Sequence, residues 1–240
     1  MAIWIKICGI TTLEDAQAAV SAGANAVGFV FAASPRRVTA SAVRGFARRL
    51  PRTVESIGVF VEATLEEIAD TVRVAGLTGV QLHATDQTGL DQAGLAQALR
   101  TRFADAPGRL GILQTLHYAP HENDFALQLR AMHANPAVDA VLVDTYSATQ
   151  SGGTGLSFDW EHARDSFFRE APHLRLIAAG GLRPENVRQA IYTLQPWGVD
   201  VSSGVESSPG RKDPRQVAEF VRAARAAALE MAQGPIPAQA

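Results

Sequence analysis

Ile3-Trp4-Ile5-Lys6-Ile7-Cys8-Gly9 opens the chain with a β-branched run that stops at a glycine. Side chains alternate along a strand, so Ile3, Ile5 and Ile7 share one face while Trp4, Lys6 and Cys8 share the other. The wholly apolar face suits a covering layer of helices, and the mixed face suits the inside of a barrel. Similar runs recur at Ala26–Val30, Val54–Val61, Gly79–His83, Leu110–Gln114, Ala140–Asp144, Leu174–Ala178 and Val199–Ser202, which makes eight. Between them lie stripes at helical spacing, such as Leu65/Ile68/Ala69/Val72 and Val187/Ala190/Ile191/Leu194. Thr11 with Glu14 and Thr64 with Glu67 read as capping boxes, and Pro184 and Pro214 suit first helical turns. Eight strand–helix units joined by right-handed crossovers, in a chain of this length, predict a single-domain α/β protein, a (β/α)₈ TIM barrel over residues 1–230. A doubly wound open sheet is the alternative. Residues 231–240 read as a disordered C-terminal tail.

The bulk composition narrows the partners. The chain is 47% hydrophobic and 19% charged, and its formal charge of −2 comes from 22 basic and 24 acidic residues mixed along its length. No basic stripe is offered to nucleic acid or to an anionic membrane. Lys6 interrupts the only apolar opening, which argues against a secretory signal, and no later stretch reaches the ~20 apolar residues of a membrane span. One cysteine, Cys8, cannot form an intramolecular disulfide, and a cytoplasmic location is expected. Lysine occurs only at Lys6 and Lys212, the other cations being arginine. That reads as compositional bias.

In such a barrel the chemistry sits where the strands end. Cys8 points into the mouth, where the Lys6 ammonium would favour its thiolate; the competing reading is a buried structural cysteine. Asp144 closes the sixth run as a candidate acid or base, or else as a turn-opening aspartate. Gln81 and His83 share one face of the fourth strand, and His83 takes a contact role. Asp200 either binds substrate or braces the barrel. Gly180-Gly181 and Ser203-Gly204 follow the seventh and eighth strands, where backbone N–H groups commonly hold phosphate. Gly152-Gly153-Thr154-Gly155 lies in a long sixth loop, as a substrate-covering segment or a plain turn. Arg36 and Arg37 each carry a fork suited to a carboxylate, and composition does not choose between them.

Taken in order, Lys6-Ile7-Cys8-Gly9-Ile10-Thr11, Val27-Gly28-Phe29-Val30-Phe31, Ser34-Pro35-Arg36, Val80-Gln81-Leu82-His83, Leu142-Val143-Asp144, Gly152-Gly153-Thr154-Gly155 with Phe158-Asp159-Trp160, Gly180-Gly181-Leu182 and Val199 through Glu206 closely resemble the phosphoribosylanthranilate isomerases. The resemblance spans residues 3 to about 222. It implies an Amadori rearrangement of N-(5-phosphoribosyl)anthranilate in tryptophan biosynthesis, without cofactor or metal, on a small phosphosugar substrate. It places Cys8 on the family's general base and Asp144 on its general acid. It selects Arg36 for the anthranilate carboxylate and Asp200 for an acid near the substrate amine, with Lys6, Gln81 and His83 as further contacts. Phosphate contacts fall on Gly153, Thr154, Gly155, Gly180, Gly181, Ser203 and Gly204. Monomer and homodimer both stay open. Ala84, the Ala32-Ala33 pair and Leu156 depart from the usual pattern and bear on loop shape. The rivals are a histidine-pathway phosphosugar isomerase, which would want an aspartate at Cys8, and a silent phosphosugar-binding sensor, which would need neither Cys8 nor Asp144.

Overall fold

The computed structural model describes residues 3–83, 90–117, 124–144 and 160–233. Eight strands pair in parallel in chain order and close on themselves. They are β1 (Trp4–Ile7), β2 (Ala26–Val30), β3 (Glu55–Val61), β4 (Gly79–His83), β5 (Gly111–His117), β6 (Ala140–Asp144), β7 (Arg175–Ala179) and β8 (Gly198–Val201). Helices α1 (Leu13–Ala22), α2 (Ala40–Ala47), α3 (Leu65–Ala75), α4 (Leu90–Arg102), α5 (Asp124–His133), α6 (Trp160–Glu170), α7 (Val187–Leu194) and α8 (Pro214–Gln233) follow in turn. β1 lies in register with β8, Lys6 beside Asp200, which closes the barrel and disposes of the open-sheet alternative.

The alternation read from the opening strand decides where the core sits. Ile3, Ile5 and Ile7 join Phe29, Val80 and Val141 in the layer between sheet and helices. Trp4 packs inside the barrel with Ala26, Ile57, Leu113, Ala140, Leu142, Ile177 and Ala179. Each fully buried aliphatic side chain in these layers contributes roughly 1.5–3 kcal/mol. At the amino-terminal end Trp4 stacks on Trp197, with ring centroids 5.2 Å apart, and its indole N–H donates to Glu55 at 3.1 Å. Toward the carboxyl ends the interior turns polar: Lys6, Gln81, Thr115 and Asp200 are all buried there.

The amino-terminal face is braced by arginines. Arg225 of α8 donates to the Ile3 and Gly23 carbonyls and to Asn25, fastening the last helix to the start of the barrel. Arg100 reaches the Leu110 and Ala137 carbonyls and Asp139. Bracing of this kind on the face away from the strand ends serves stability.

Several boundaries differ from expectation. Thr64 and Glu67 form the expected capping box, but α1 is capped by Thr12, whose side chain accepts from the Asp15 N–H. Thr11 is occupied elsewhere, its hydroxyl donating to the Gly210 carbonyl. Pro184 lies in the turn before α7, while Pro214 does open α8. β5 runs on to His117, which adds Thr115 and His117 to the sheet. A short antiparallel hairpin, β9 (Glu206–Ser208) with β10 (Arg211–Lys212), follows a 3₁₀ turn at Ser203–Val205 and was not expected. Met231–Gln233 are helical, so α8 extends into the stretch read as tail, the rest of which is outside the described residues. Among the described residues no helix is long and apolar enough to cross a membrane.

Candidate active site

A cavity of about 390 Å³ opens at the carboxyl ends of the strands. Cys8, Arg36, Gln81, His83, Asp144, Asp200, Gly180, Gly181, Ser203 and Gly204 all line it, so candidates spread over nearly two hundred residues meet in one place. Gly153, Thr154 and Gly155 lie outside the described residues. Lys6 is absent from the lining, a correction to its expected role as a substrate contact.

The reason lies beneath the cavity floor. The Lys6 side chain is fully buried, and its ammonium donates to Gln81 Oε1 at 2.8 Å and to Asp200 Oδ1 at 2.9 Å. Burial pulls the Lys6 pKa down, but Asp200 and Cys8 outweigh it, and the net shift is upward. Lys6 is therefore a permanent buried cation that holds Gln81 and Asp200 in place.

Its effect on Cys8 has the expected sign and an insufficient size. Burial pushes the Cys8 thiol up; Lys6 and Lys212 pull it down, Asp200 opposes them, and the balance stays above the ordinary 9.0. Without substrate the surroundings of Cys8 favour the thiol, chiefly because burial outweighs the pull of the two ammonium groups, with Asp200 adding to it. Across the cavity, Asp144 ends β6 on the face shared with Ala140 and Leu142, in register between His117 and Ala179. β7 and β8 separate it from β1, so Cys8 and Asp144 face one volume from different sides.

The Lys6 contact also settles the chemistry of His83. Gln81 must turn its oxygen toward the ammonium, which leaves its amide nitrogen for Thr115 Oγ1 at 3.1 Å and His83 Nε2 at 2.8 Å. His83 Nε2 is then an acceptor, and the ring proton resides on Nδ1. Burial, together with His117 and Lys6, lowers the His83 pKa to about 4. A neutral imidazole on the wall fits the contact role expected for it, as a donor or acceptor and not a cation.

Arg36 and Arg37 separate clearly. Arg37 points to solvent, whereas Arg36 enters the cavity wall from a turn in which Ser34 Oγ accepts the Arg36 N–H at 3.1 Å. The Arg36 fork is already engaged: its Nε and Nη2 donate to Glu206 at 2.8 and 2.7 Å. Glu206 in turn accepts from the Lys212 ammonium at 2.8 Å. Glu206, Lys212 and Thr115 were not singled out as site residues from the sequence. The one available signal was that Lys6 and Lys212 are the only lysines, and both prove to have fully buried side chains beside the cavity.

Loops seven and eight meet closely where β7 and β8 end. Gly180 and Gly181 both adopt left-handed backbone, with φ of 83° and 62°. A Cβ on Gly204 would lie 1.8 Å from the Leu182 carbonyl oxygen, so the two loops approach only because that position is bare. This brings Gly180-Gly181 and Ser203-Gly204 to one corner of the cavity, with backbone suited to an anion. Among the described residues no group of three or more His, Cys, Asp or Glu side chains could hold a metal ion.

Comparison with known proteins gives a consistent picture. The family model for N-(5'phosphoribosyl)anthranilate (PRA) isomerase matches residues 5–223. The N-(5'-phosphoribosyl)anthranilate isomerase of Citrifermentans bemidjiense is 41% identical over 229 residues, covering 94% of this chain and 98% of that one. The solved phosphoribosyl anthranilate isomerase of Thermotoga maritima superposes with a TM-score of 0.75 at 36% identity, covering 93% of this chain and 99% of that one. A structure of such an isomerase in complex with reduced 1-(o-carboxyphenylamino)-1-deoxyribulose 5-phosphate superposes at 0.74 with 33% identity, again covering 93% and 99%.

Proposed function

Because this chain belongs to the N-(5'-phosphoribosyl)anthranilate isomerase family, and is an isomerase of that phosphosugar in tryptophan biosynthesis, we propose that Asp144 is its general acid and Cys8 its general base. The observation that carries the assignment is that both line one cavity from separated strands, together with an arginine and paired glycine loops. The substrate has the matching shape: a carboxylate on the anthranilate ring, a phosphate at C5 and the reacting sugar carbons between.

On this reading Arg36 anchors the carboxylate, while backbone N–H groups of Gly180-Gly181 and Ser203-Gly204 hold the phosphate, with Gly153, Thr154 and Gly155 as further phosphate contacts. Two-point anchoring fixes the sugar over the acid and the base, which supplies orientation without covalent chemistry. Protonated Asp144 gives its proton to the ring oxygen as the C1–O bond breaks and the nitrogen lone pair forms an iminium. The Cys8 thiolate then takes the proton from C2, and the electron pair left behind neutralises the iminium as an enolamine. Tautomerisation to the ketone completes an isomerisation in which no atom is gained or lost. Asp200, held by Lys6, stands near the substrate amine, and neutral His83 offers a hydrogen bond to the bound substrate.

The single thiol fits a reducing cytoplasm. A monomer and a homodimer remain alternatives for the chain, and one solved relative, from Thermotoga maritima, is described as generated monomers of a dimeric isomerase. Conversion of freshly made N-(5-phosphoribosyl)anthranilate, followed by fluorescence, tests the chemistry. Asp144→Asn and Cys8→Ala should each lose about a hundredfold or more in kcat, and near-normal turnover in either variant removes that residue's role.

A further inference from the structure

Glu206 and Lys212 take no part in the steps above, yet each is buried against the cavity wall. We propose that Glu206 is a positioning residue for Arg36, supported by Lys212, and that the three side chains together make the site selective for an aryl carboxylate. The proposal rests on the reading of Arg36 as the carboxylate anchor.

Geometry fixes the fork. Glu206 takes the Nε and Nη2 edge of Arg36 with both of its oxygens, so the guanidinium is held in one plane, with the Nη1 side left for a ligand. The Arg36 stem runs directly over Gly9, where a Cβ would lie 2.5 Å from Arg36 Cδ. Glu206 cannot follow Arg36 if a ligand pulls on it. Its carboxylate is held by the Lys212 ammonium, which also donates to the Ser202 carbonyl at 3.0 Å.

Charge makes the same point independently. An arginine paired with one glutamate is close to neutral and offers a carboxylate little. Lys212 adds the second positive charge, so two cations and one anion leave the cluster attractive to one more negative group. Burial pulls the Lys212 pKa down, and the Glu206 contact works against that loss. A compact ammonium with three donors fits this enclosed position where a guanidinium would not. That accounts for lysine at 212 in a chain whose other cations, apart from Lys6, are arginine.

The test compares two substrates, N-(5-phosphoribosyl)anthranilate and the same phosphoribosyl amine made with aniline, which lacks the carboxylate. The ratio of their kcat/KM values reads carboxylate recognition alone. Glu206→Gln should lower that ratio about tenfold, through KM for the carboxylated substrate more than through kcat. Lys212→Met should lower it in the same direction, and Glu206→Asp should recover part of the loss. If Glu206→Gln does not fold, Arg36→Lys gives the same reading, since it keeps the charge but cannot be held at two points. A retained ratio in Arg36→Lys would then overturn the proposal. Equal losses on both substrates, or an unchanged ratio in folded Glu206→Gln and Lys212→Met, would also overturn it. Arg36→Ala separates the two layers. An unchanged ratio there defeats the anchor itself, whereas a collapse there with Glu206→Gln unaffected defeats only the bracing.

Discussion

Cys8 is the only cysteine in the chain, so any thiol signal reports on it alone. Burial pushes its pKa above 9.0, Lys6 and Lys212 compensate in part, and Asp200 works against them. A thiol titrating at 9.0 is about 1% ionised at pH 7, so the substrate-free enzyme holds less thiolate than that, and a base that must first ionise adds at least about 2.7 kcal/mol to the barrier. Two consequences can be measured. The ultraviolet thiolate absorbance, taken as a difference from Cys8→Ala, should stay absent at neutral pH and emerge only in alkaline solution. Because Asp144 must keep its proton while Cys8 loses its own, kcat/KM of the parent reads both groups at once; in Asp144→Asn, which lacks the second titration, the residual kcat/KM should climb with pH from about pH 6 to pH 9. Lys6→Met removes the largest charge favouring the thiolate and should move both curves further alkaline. It also leaves Asp200 buried without its cation, at a cost of about 3–5 kcal/mol, so the comparison belongs well below the melting temperature. A thiolate already present at pH 7, or a residual kcat/KM in Asp144→Asn that is flat from about pH 6 to pH 9, would refute the account of Cys8 as a base that works against its own burial.

Gly204→Ala should force loops seven and eight apart, because the new Cβ would meet the Leu182 carbonyl oxygen at 1.8 Å. Thermal unfolding should register about 1–3 kcal/mol of lost stability, and the inhibition constant for inorganic phosphate should rise; an unchanged constant would detach that corner from phosphate. His83 gives a pH prediction of definite sign. Its folded pKa of about 4 lies below the ordinary 6.5, so between those values the unfolded chain binds a proton that the native state does not. Stability should therefore fall as pH drops through that window, by no more than about 3 kcal/mol from this residue. His83→Asn should lose that share of the acid sensitivity, and a variant with the same pH dependence of melting as the parent would show that His83 is not held neutral.

How far the sequence could be read depended on whether the information was local. The alternation in Trp4, Lys6 and Cys8 is a property of one strand, and it placed Trp4 in the barrel interior and Cys8 on the cavity wall without reference to any partner. Asp144 and Asp200 were legible for the same reason, as acids closing or lying within β-branched runs. The Lys6 pairing was not legible. Which group a lysine neutralises depends on β1 meeting β8 across 194 residues, and it is the lysine, not its partners, that turned out to lie below the cavity. Arg36 shows the same limit: local spacing suggested a fork waiting for a carboxylate, whereas Glu206, 170 residues away, already occupies half of it. Thr115 was missed because strand five was ended at Gln114, three residues early, although Leu113, Thr115 and His117 continue its inward face.

The two lysine clusters also constrain each other through Cys8. Lys212 lowers the thiol pKa across space, while Cys8 in turn adds to the rise at Arg36 and offsets part of the burial that holds Lys212 low, so the carboxylate anchor and the base share one field. An anthranilate carboxylate bound at Arg36 would cancel part of the positive potential that helps Cys8 ionise. A site that relied on Arg36 and Lys212 alone would then weaken its base each time it bound substrate. Lys6 escapes this conflict because its side chain is fully buried, with its ammonium engaged by Asp200, Gln81 and the Cys8 thiol itself. The division of work follows from position: the cation at the rim meets the incoming charge, while the buried one keeps its effect on the thiol whatever occupies the cavity. Substituting Lys6 should therefore impair turnover of carboxylated and carboxylate-free substrates alike, in contrast to the selective loss expected at Glu206, and kcat/KM measured on both would show whether the two cations are separate in function.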